Sequence, residues 1–124
     1  MMIQTKLSLP QHYDPNYAYP LILCNDGNLQ HLCTCKEKAI LVGLLPENRV
    51  KDYTPWQAEA TRAGAENFGG QADEYHNELF NNVLPELQSR YSIDTNKIIY
   101  GGYSLGGLAA VYSLYRTNIP SAVF

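Results

Sequence analysis

A chain of 124 residues, 45% of them apolar, has the size of one globular domain with a real core. Its net charge of -3, without any basic cluster, excludes the electrostatic footprint of a nucleic-acid binder or of a protein held on an anionic membrane surface. No apolar run approaches a membrane span, and the opening MMIQTKLSLPQHYD has neither an apolar signal core nor a small-residue cleavage site, so a cytoplasmic protein acting on a small molecule is expected.

Ile3 to Leu9 alternates apolar and polar residues and stops at Pro10, the pattern of a half-exposed strand. After the tyrosine- and proline-rich connection QHYDPNYAYP, Leu21 to Cys24 is a short apolar run stopped by NDGN. Ala39 to Leu45 is a second, stopped by Pro46; both read as strands buried on two faces. Leu29 to Lys38 leaves room for one short helix between them. The stretch from Pro46 to Gly70 is too long for a plain connector, which points to a functional loop, with Trp56 a candidate pocket wall.

The strongest periodicity follows. Ala72, Tyr75, Leu79, Val83, Leu84, Leu87 and Tyr91 recur at steps of three and four, predicting an amphipathic helix with His76 on its solvated border. Pro85 sits inside this pattern, and the clash of its ring with the Asn81 carbonyl predicts a kink or a broken pair of helices. SIDTNK reads as a turn into a strand over Lys97 to Gly101. The alternation of strand and helix implies an α/β fold, a mainly parallel sheet covered by helices on both faces.

Cys24, Cys33 and Cys35, with His31 beside them, raise the question of a metal site. Cys-Thr-Cys lacks the spacer of a zinc knuckle, and Cys24 falls in a buried strand, so no metal and no cofactor are expected and the thiols read as reduced.

The most demanding segment is IIYGGYSLGGLAAVYSLYR, residues 98–116. A strand must pass into a helix within a few residues, and glycines stand two positions either side of Ser104, in the order Gly102-Tyr103-Ser104-Leu105-Gly106. In such a turn the serine hydroxyl is pushed out above the sheet, and side chains at the flanking positions would collide. The helix that starts there aims its unpaired N–H groups and positive dipole end at the place where an attacked acyl group gathers negative charge. This is the sequence of a nucleophile elbow.

The chain resembles the N-terminal half of esterases of the α/β-hydrolase fold, the family of enterochelin-type siderophore esterases, S-formylglutathione hydrolases and mycolyltransferases. The likeness rests on the strand ending in Asn25-Asp26-Gly27-Asn28, the Arg49-to-Pro55 segment, Gly69-Gly70 before a long helix, the Ile-Asp turn and GGYSLGG, and it covers residues 20–124. It implies a three-layer α/β sandwich in which residues 1–124 are the N-terminal portion of one domain, truncated after the elbow helix. It also implies a serine ester hydrolase that forms an acyl-enzyme: Ser104 as nucleophile, the backbone N–H groups of Leu105 and Asn28 as the oxyanion hole, and Arg49 as a possible substrate-binding residue, with a small-molecule ester as partner. An acyltransferase on the same serine, or a remnant that binds a ligand or partner without catalysis, is the alternative.

In this fold the acid and base follow the serine. After Ser104 the chain has no histidine and no carboxylate, and His12, His31 and His76 all precede it. His31, near the presumed oxyanion loop, is the candidate substitute base, whereas His12 lies in a connection without an evident partner. A complete domain of this type is about twice as long. The expectation is therefore a fragment, inactive alone, whose strand at Lys97 to Gly101 lacks a neighbour and which self-associates or pairs with a missing C-terminal half.

Overall fold

The computed structural model describes the backbone of all 124 residues and every side chain except those of His31 and Cys33. Strand β1 (Gln4–Ser8) is followed by β2 (Tyr19–Asn25), a 3-10 segment over Leu29–Cys35, β3 (Ile40–Leu45) and a one-turn helix α1 (Arg49–Asp52). A two-stranded ribbon comes next, β4 (Gln57–Ala58) with β5 (Phe68–Gly69), then helices α2 (Ala72–Glu78) and α3 (Leu84–Arg90), strand β6 (Ile93–Gly101), helix α4 (Leu105–Ser113) and the short strand β7 (Ala122–Val123). The main sheet runs β1-β3-β2-β6-β7, parallel throughout except for the antiparallel β1. This is an α/β architecture with a mainly parallel sheet, as the alternation predicts.

The two continuous apolar runs became the centre of the sheet because only strands with neighbours on both sides and cover on both faces can hide every residue. Leu21, Leu23, Ile40, Val42 and Leu44 are fully buried, with Leu21 opposite Ile40 and Ile98, and Leu23 opposite Val42 and Tyr100. One face packs on α2, α3 and α4 through Tyr75, Leu79, Leu84, Ala109 and Ala110. The opposite face, Ile22, Leu41 and Ile99, is covered by Leu29, Leu32 and Cys35 of the 3-10 segment. Helices on both faces were expected; among the described residues the second face carries only this thinner cover.

Two further expectations are corrected, and the broken pair of helices expected at Pro85 takes the form of α2 and α3 separated by a π-turn. The chain widens into a π-turn over Leu79–Val83, where the Leu84 N–H bonds the Leu79 carbonyl, and Pro85 falls in the first turn of α3, where its missing N–H costs nothing. The SIDTNK turn lies inside β6 rather than before it: Tyr19 pairs with Ile93, the register shifts, and pairing resumes at Leu21 with Ile98. Asp94 holds this bulge by accepting from the Asn96 N–H at 2.9 Å. The strand carrying the elbow also has a neighbour on its far side, since Ile99 and Tyr100 pair with Ala122 and Val123 of β7.

The 46–70 stretch is built rather than loose. Asn48 caps α1 by accepting from the Val50 and Lys51 N–H groups, and Thr54 Oγ1 accepts from Gly70 N at 2.8 Å while donating to the Val50 carbonyl. Its positioned product is the start of α1, at the same end of the sheet as the turns after β2 and β6.

Leu23→Ala, in the middle of β2, is expected to cost about 2–5 kcal/mol and to lower the urea midpoint accordingly. Leu7→Ala on the outermost strand, where the side chain is 40% exposed, should change stability by about 0.5 kcal/mol or less. Equal losses at the two positions would contradict the strand order.

Candidate active site

Parallel pairing of Cys24 with Gly101 places the turn after β2 and the turn after β6 side by side at the carboxyl edge of the sheet. In open α/β sheets that edge is where ligands bind. Both turns contain a non-glycine residue at positive φ, Asp26 at 65° and Ser104 at 57°, and among the described residues these are the two such positions.

Ser104 is exposed and occupies the position before α4 with φ 57° and ψ -122°, a backbone conformation that a serine adopts only when its surroundings impose it. The imposing contact is the one the glycine spacing predicts. A Cβ on Gly102 would lie 2.7 Å from the Gly106 carbonyl carbon, and one on Gly106 would lie 3.0 Å from Asn25 Cβ and 3.2 Å from an Asp26 carboxylate oxygen. Helix α4 then begins with Gly106 N–H on the Tyr103 carbonyl and Leu108 N–H on the Ser104 carbonyl.

Among the described residues the N–H groups of Leu105 and Asn28 have no acceptor, and no partner is hydrogen-bonded to Ser104 Oγ. Asn28 also lines a cavity of about 370 Å³ together with Cys24, Asn25, Leu32, Gly102, Tyr103 and Phe124. Burial pushes the Cys24 thiol pKa up, so it lines that cavity as a neutral, small apolar group.

The turn that carries Asn28 is held from outside. Arg49 Nε and Nη donate to the two Asp26 carboxylate oxygens at 3.3 and 3.1 Å, and the guanidinium stacks over the Tyr53 ring at 5.7 Å. The Tyr53 hydroxyl, fully buried, accepts the Asp26 N–H at 3.0 Å. The hydrogen bond to Asp26 also holds the Arg49 pKa above its usual value. Arg49 thus sits at the predicted edge, with its side chain 41% exposed and tied to the turn.

Two residues are elsewhere than expected. Trp56 is 69% exposed and absent from the cavity wall, so it is no pocket wall. His76 is not solvated; it is 5% exposed, because the face of α2 that carries it packs between Phe80, Tyr112 and Tyr100. The side chains of His31 and Cys33 lie outside the described residues, and His12 is exposed. Among the described residues no group of three or more His, Cys, Asp or Glu side chains could hold a metal ion. No described helix is long and apolar enough to cross a membrane.

Residue-by-residue sequence reasoning missed a buried polar knot beneath both turns. Asn25 Nδ2 donates to Tyr100 Oη at 3.0 Å and to the Gly106 carbonyl at 2.9 Å, while its Oδ1 accepts from Tyr75 Oη at 3.0 Å and Tyr100 Oη at 3.3 Å. His76 Nε2 lies 3.0 Å from Tyr100 Oη. The other ring nitrogen of His76, Nδ1, is the one buried side-chain nitrogen without a partner among the described residues. The available signal was an asparagine ending an otherwise apolar strand, a polar group that burial permits only when it is hydrogen-bonded.

An α/β-hydrolase-type fold with a serine on a strained strand-to-helix turn is the class of architecture that these features define. Residues 2–118 match the family described as "Putative esterase", and the chain belongs to that family. It is 27% identical to the uncharacterized protein YbbA of Bacillus subtilis, the match covering 89% of this chain and 50% of YbbA. Among solved structures it is similar to an IroE-like serine hydrolase from Shewanella oneidensis, with a TM-score of 0.82, 22% identity, and coverage of 98% of this chain and 49% of the other. It is also similar to the enterobactin hydrolase IroE solved in complex with DFP, with a TM-score of 0.76, 21% identity, and coverage of 95% and 54%. The chain spans about half the length of each.

Two predictions follow from this geometry. Gly102→Val and Gly106→Val should each lower the melting temperature, by overpacking of about 1–3 kcal/mol or more, since backbone and the buried Asn25 occupy the space; melts unchanged from wild type would mean that the turn has room. For His76, burial lowers the pKa from 6.5 to about 4, with Asp73 opposing. The neutral ring's contribution is complete above pH 6.5 and is lost as the pH falls from 6.5 through 4, at most about 3 kcal/mol. His76→Gln should flatten the fall in stability over that window, measured by denaturation at pH 7.5, 5.5 and 4.

Proposed function

We propose that this chain carries the nucleophile and the oxyanion hole of a serine ester hydrolase. The observation that supports it most is Ser104 held at φ 57° between Gly102 and Gly106, exposed at the carboxyl edge of a parallel sheet. Membership of an esterase family and likeness to structures described as serine and enterobactin hydrolases agree with it.

In this reading Ser104 Oγ attacks the ester carbonyl, and the carbonyl oxygen, now negative, accepts from the N–H groups of Leu105 and Asn28. The bond to the alcohol breaks, the alcohol leaves with a proton, and the acyl group remains on Ser104 until water attacks it through the same oxyanion. The cavity lined by Leu32, Tyr103 and Phe124 receives the apolar part of the ester. Arg49 orients the Asn28 turn through Asp26, and its exposed part is available to a polar substrate group. The free thiols of Cys24 and Cys35 suit a reducing, cytoplasmic setting.

A serine hydroxyl needs a base, and among the described residues none is hydrogen-bonded to it. In this reading the acid and base come from groups other than the described side chains.

The test compares the 124-residue chain, the chain expressed with whatever coding sequence follows Phe124 at its locus, and the Ser104→Ala form of the latter. The longer protein should hydrolyse p-nitrophenyl acetate and be labelled at Ser104 by a fluorophosphonate. Ser104→Ala should lose about 10⁴-fold or more in kcat. The short chain should retain only the contribution of the oxyanion hole and binding, about 10³–10⁴-fold over water. Full turnover by the short chain would place the base within it, and activity surviving Ser104→Ala would refute the nucleophile.

A further inference from the structure

We infer that Asn25 is a positioning residue for the oxyanion site, setting the distance between the two backbone segments whose N–H groups form it. The inference rests on the ester-hydrolase reading for its catalytic meaning and on the geometry alone for its structural meaning. One donor, Asn28 N–H, belongs to the turn after β2, and the other, Leu105 N–H, belongs to the first turn of α4. No main-chain hydrogen bond joins these segments among the described residues. Their join is the Asn25 side chain, which leaves β2 just before the first turn and donates to the carbonyl of Gly106 in the second at 2.9 Å.

Every hydrogen-bonding position of this amide is used. Its two protons go to Gly106 and Tyr100, its oxygen receives the hydroxyls of Tyr75 and Tyr100, and the residue is 1% exposed. The Gly106 carbonyl can only accept, which fixes the end of the amide that bears nitrogen. The amide therefore cannot rotate without orphaning buried groups from β2, α2, β6 and α4 at once. Asn25 also explains part of the glycine pattern. Its Cβ lies 3.0 Å from where a Cβ would stand on either Gly102 or Gly106, so both motif glycines make room for it, and Gly102 also for the backbone of Gly106.

Oxyanion donors act within a few tenths of an ångström, and misplacement by about 1 Å costs about 10²-fold in rate. A residue that binds no substrate but spaces the donors should thus affect the chemical step and leave substrate affinity alone. Asn25→Asp keeps the shape and removes both donated protons. In the active, longer protein it should lower kcat by about 10–100-fold with KM within about threefold of wild type, and slow fluorophosphonate labelling of Ser104 in parallel. Tyr100→Phe, which removes the hydroxyl that braces both ends of the amide, is the second variant should Asn25→Asp not fold; a smaller loss in kcat is expected.

A readout independent of catalysis is the backbone amide NMR spectrum of the 124-residue chain. In either variant the Asn28 and Leu105 amide resonances should shift while those of β3 and α3 stay in place. Shifts spread over the whole sheet, or wild-type resonances for Asn28 and Leu105 in a folded variant, would overturn the inference, as would wild-type kcat. Should the wild-type protein show neither turnover nor labelling at Ser104, the ester-hydrolase reading fails, and the two amide resonances still decide whether Asn25 sets this spacing.

Discussion

A missing methyl group governs this structure: between Gly102 and the backbone of Gly106 there is no space for a Cβ. Only because both positions are glycine can β6 turn into α4 within a few residues, and only in that turn is Ser104 forced to φ 57°. Such a conformation costs about 1–3 kcal/mol and persists when its surroundings over-determine it. Here they do. Asn25 seals the inner side of the turn, Tyr100 and Tyr75 saturate Asn25, and His76 closes on Tyr100 from α2.

The strain is supported by a network that is costly to leave half-made. A buried amide with one lost partner costs about 1–3 kcal/mol for the group left unpaired, more than the bond itself contributes. The knot therefore specifies one arrangement of the two turns more than it adds net stability. The Arg49–Asp26 pair works on the same principle at the surface. Partly exposed, it adds about 1 kcal/mol or less to stability, yet two parallel hydrogen bonds fix the direction of the turn that carries Asn28.

Sheet topology converts these local devices into a site. Strands β3, β2 and β6 are adjacent and parallel, so α1 with Arg49, the Asp26 turn and the Ser104 elbow, far apart in the chain, emerge at one edge. The long segment between β3 and α2 serves this end: Asn48 and Thr54 lock α1, and α1 delivers Arg49 to Asp26.

The strands at the centre of the sheet, the amphipathic helix and the elbow are legible in the chain alone, because each is written in a local rule: a continuous apolar run, a step of three and four, or glycines two residues from a serine. Asn28 and Arg49 lie at the same edge as Ser104 because β2, β3 and β6 are parallel neighbours. His76 was misread as solvated because helical periodicity says which face meets the core but not how wide that core is, and α4 and Phe80 extend it over the border residue. Trp56 failed as a pocket wall for the converse reason, since an aromatic residue in a loop carries no signal of where the loop goes. The break expected at Pro85 takes the form of a π-turn, a detail that the position of the proline does not specify. Asn25 was decided by tertiary structure alone. Its partners stand at positions 75, 100 and 106, and no local pattern reports that three other elements bring their polar groups to one buried amide.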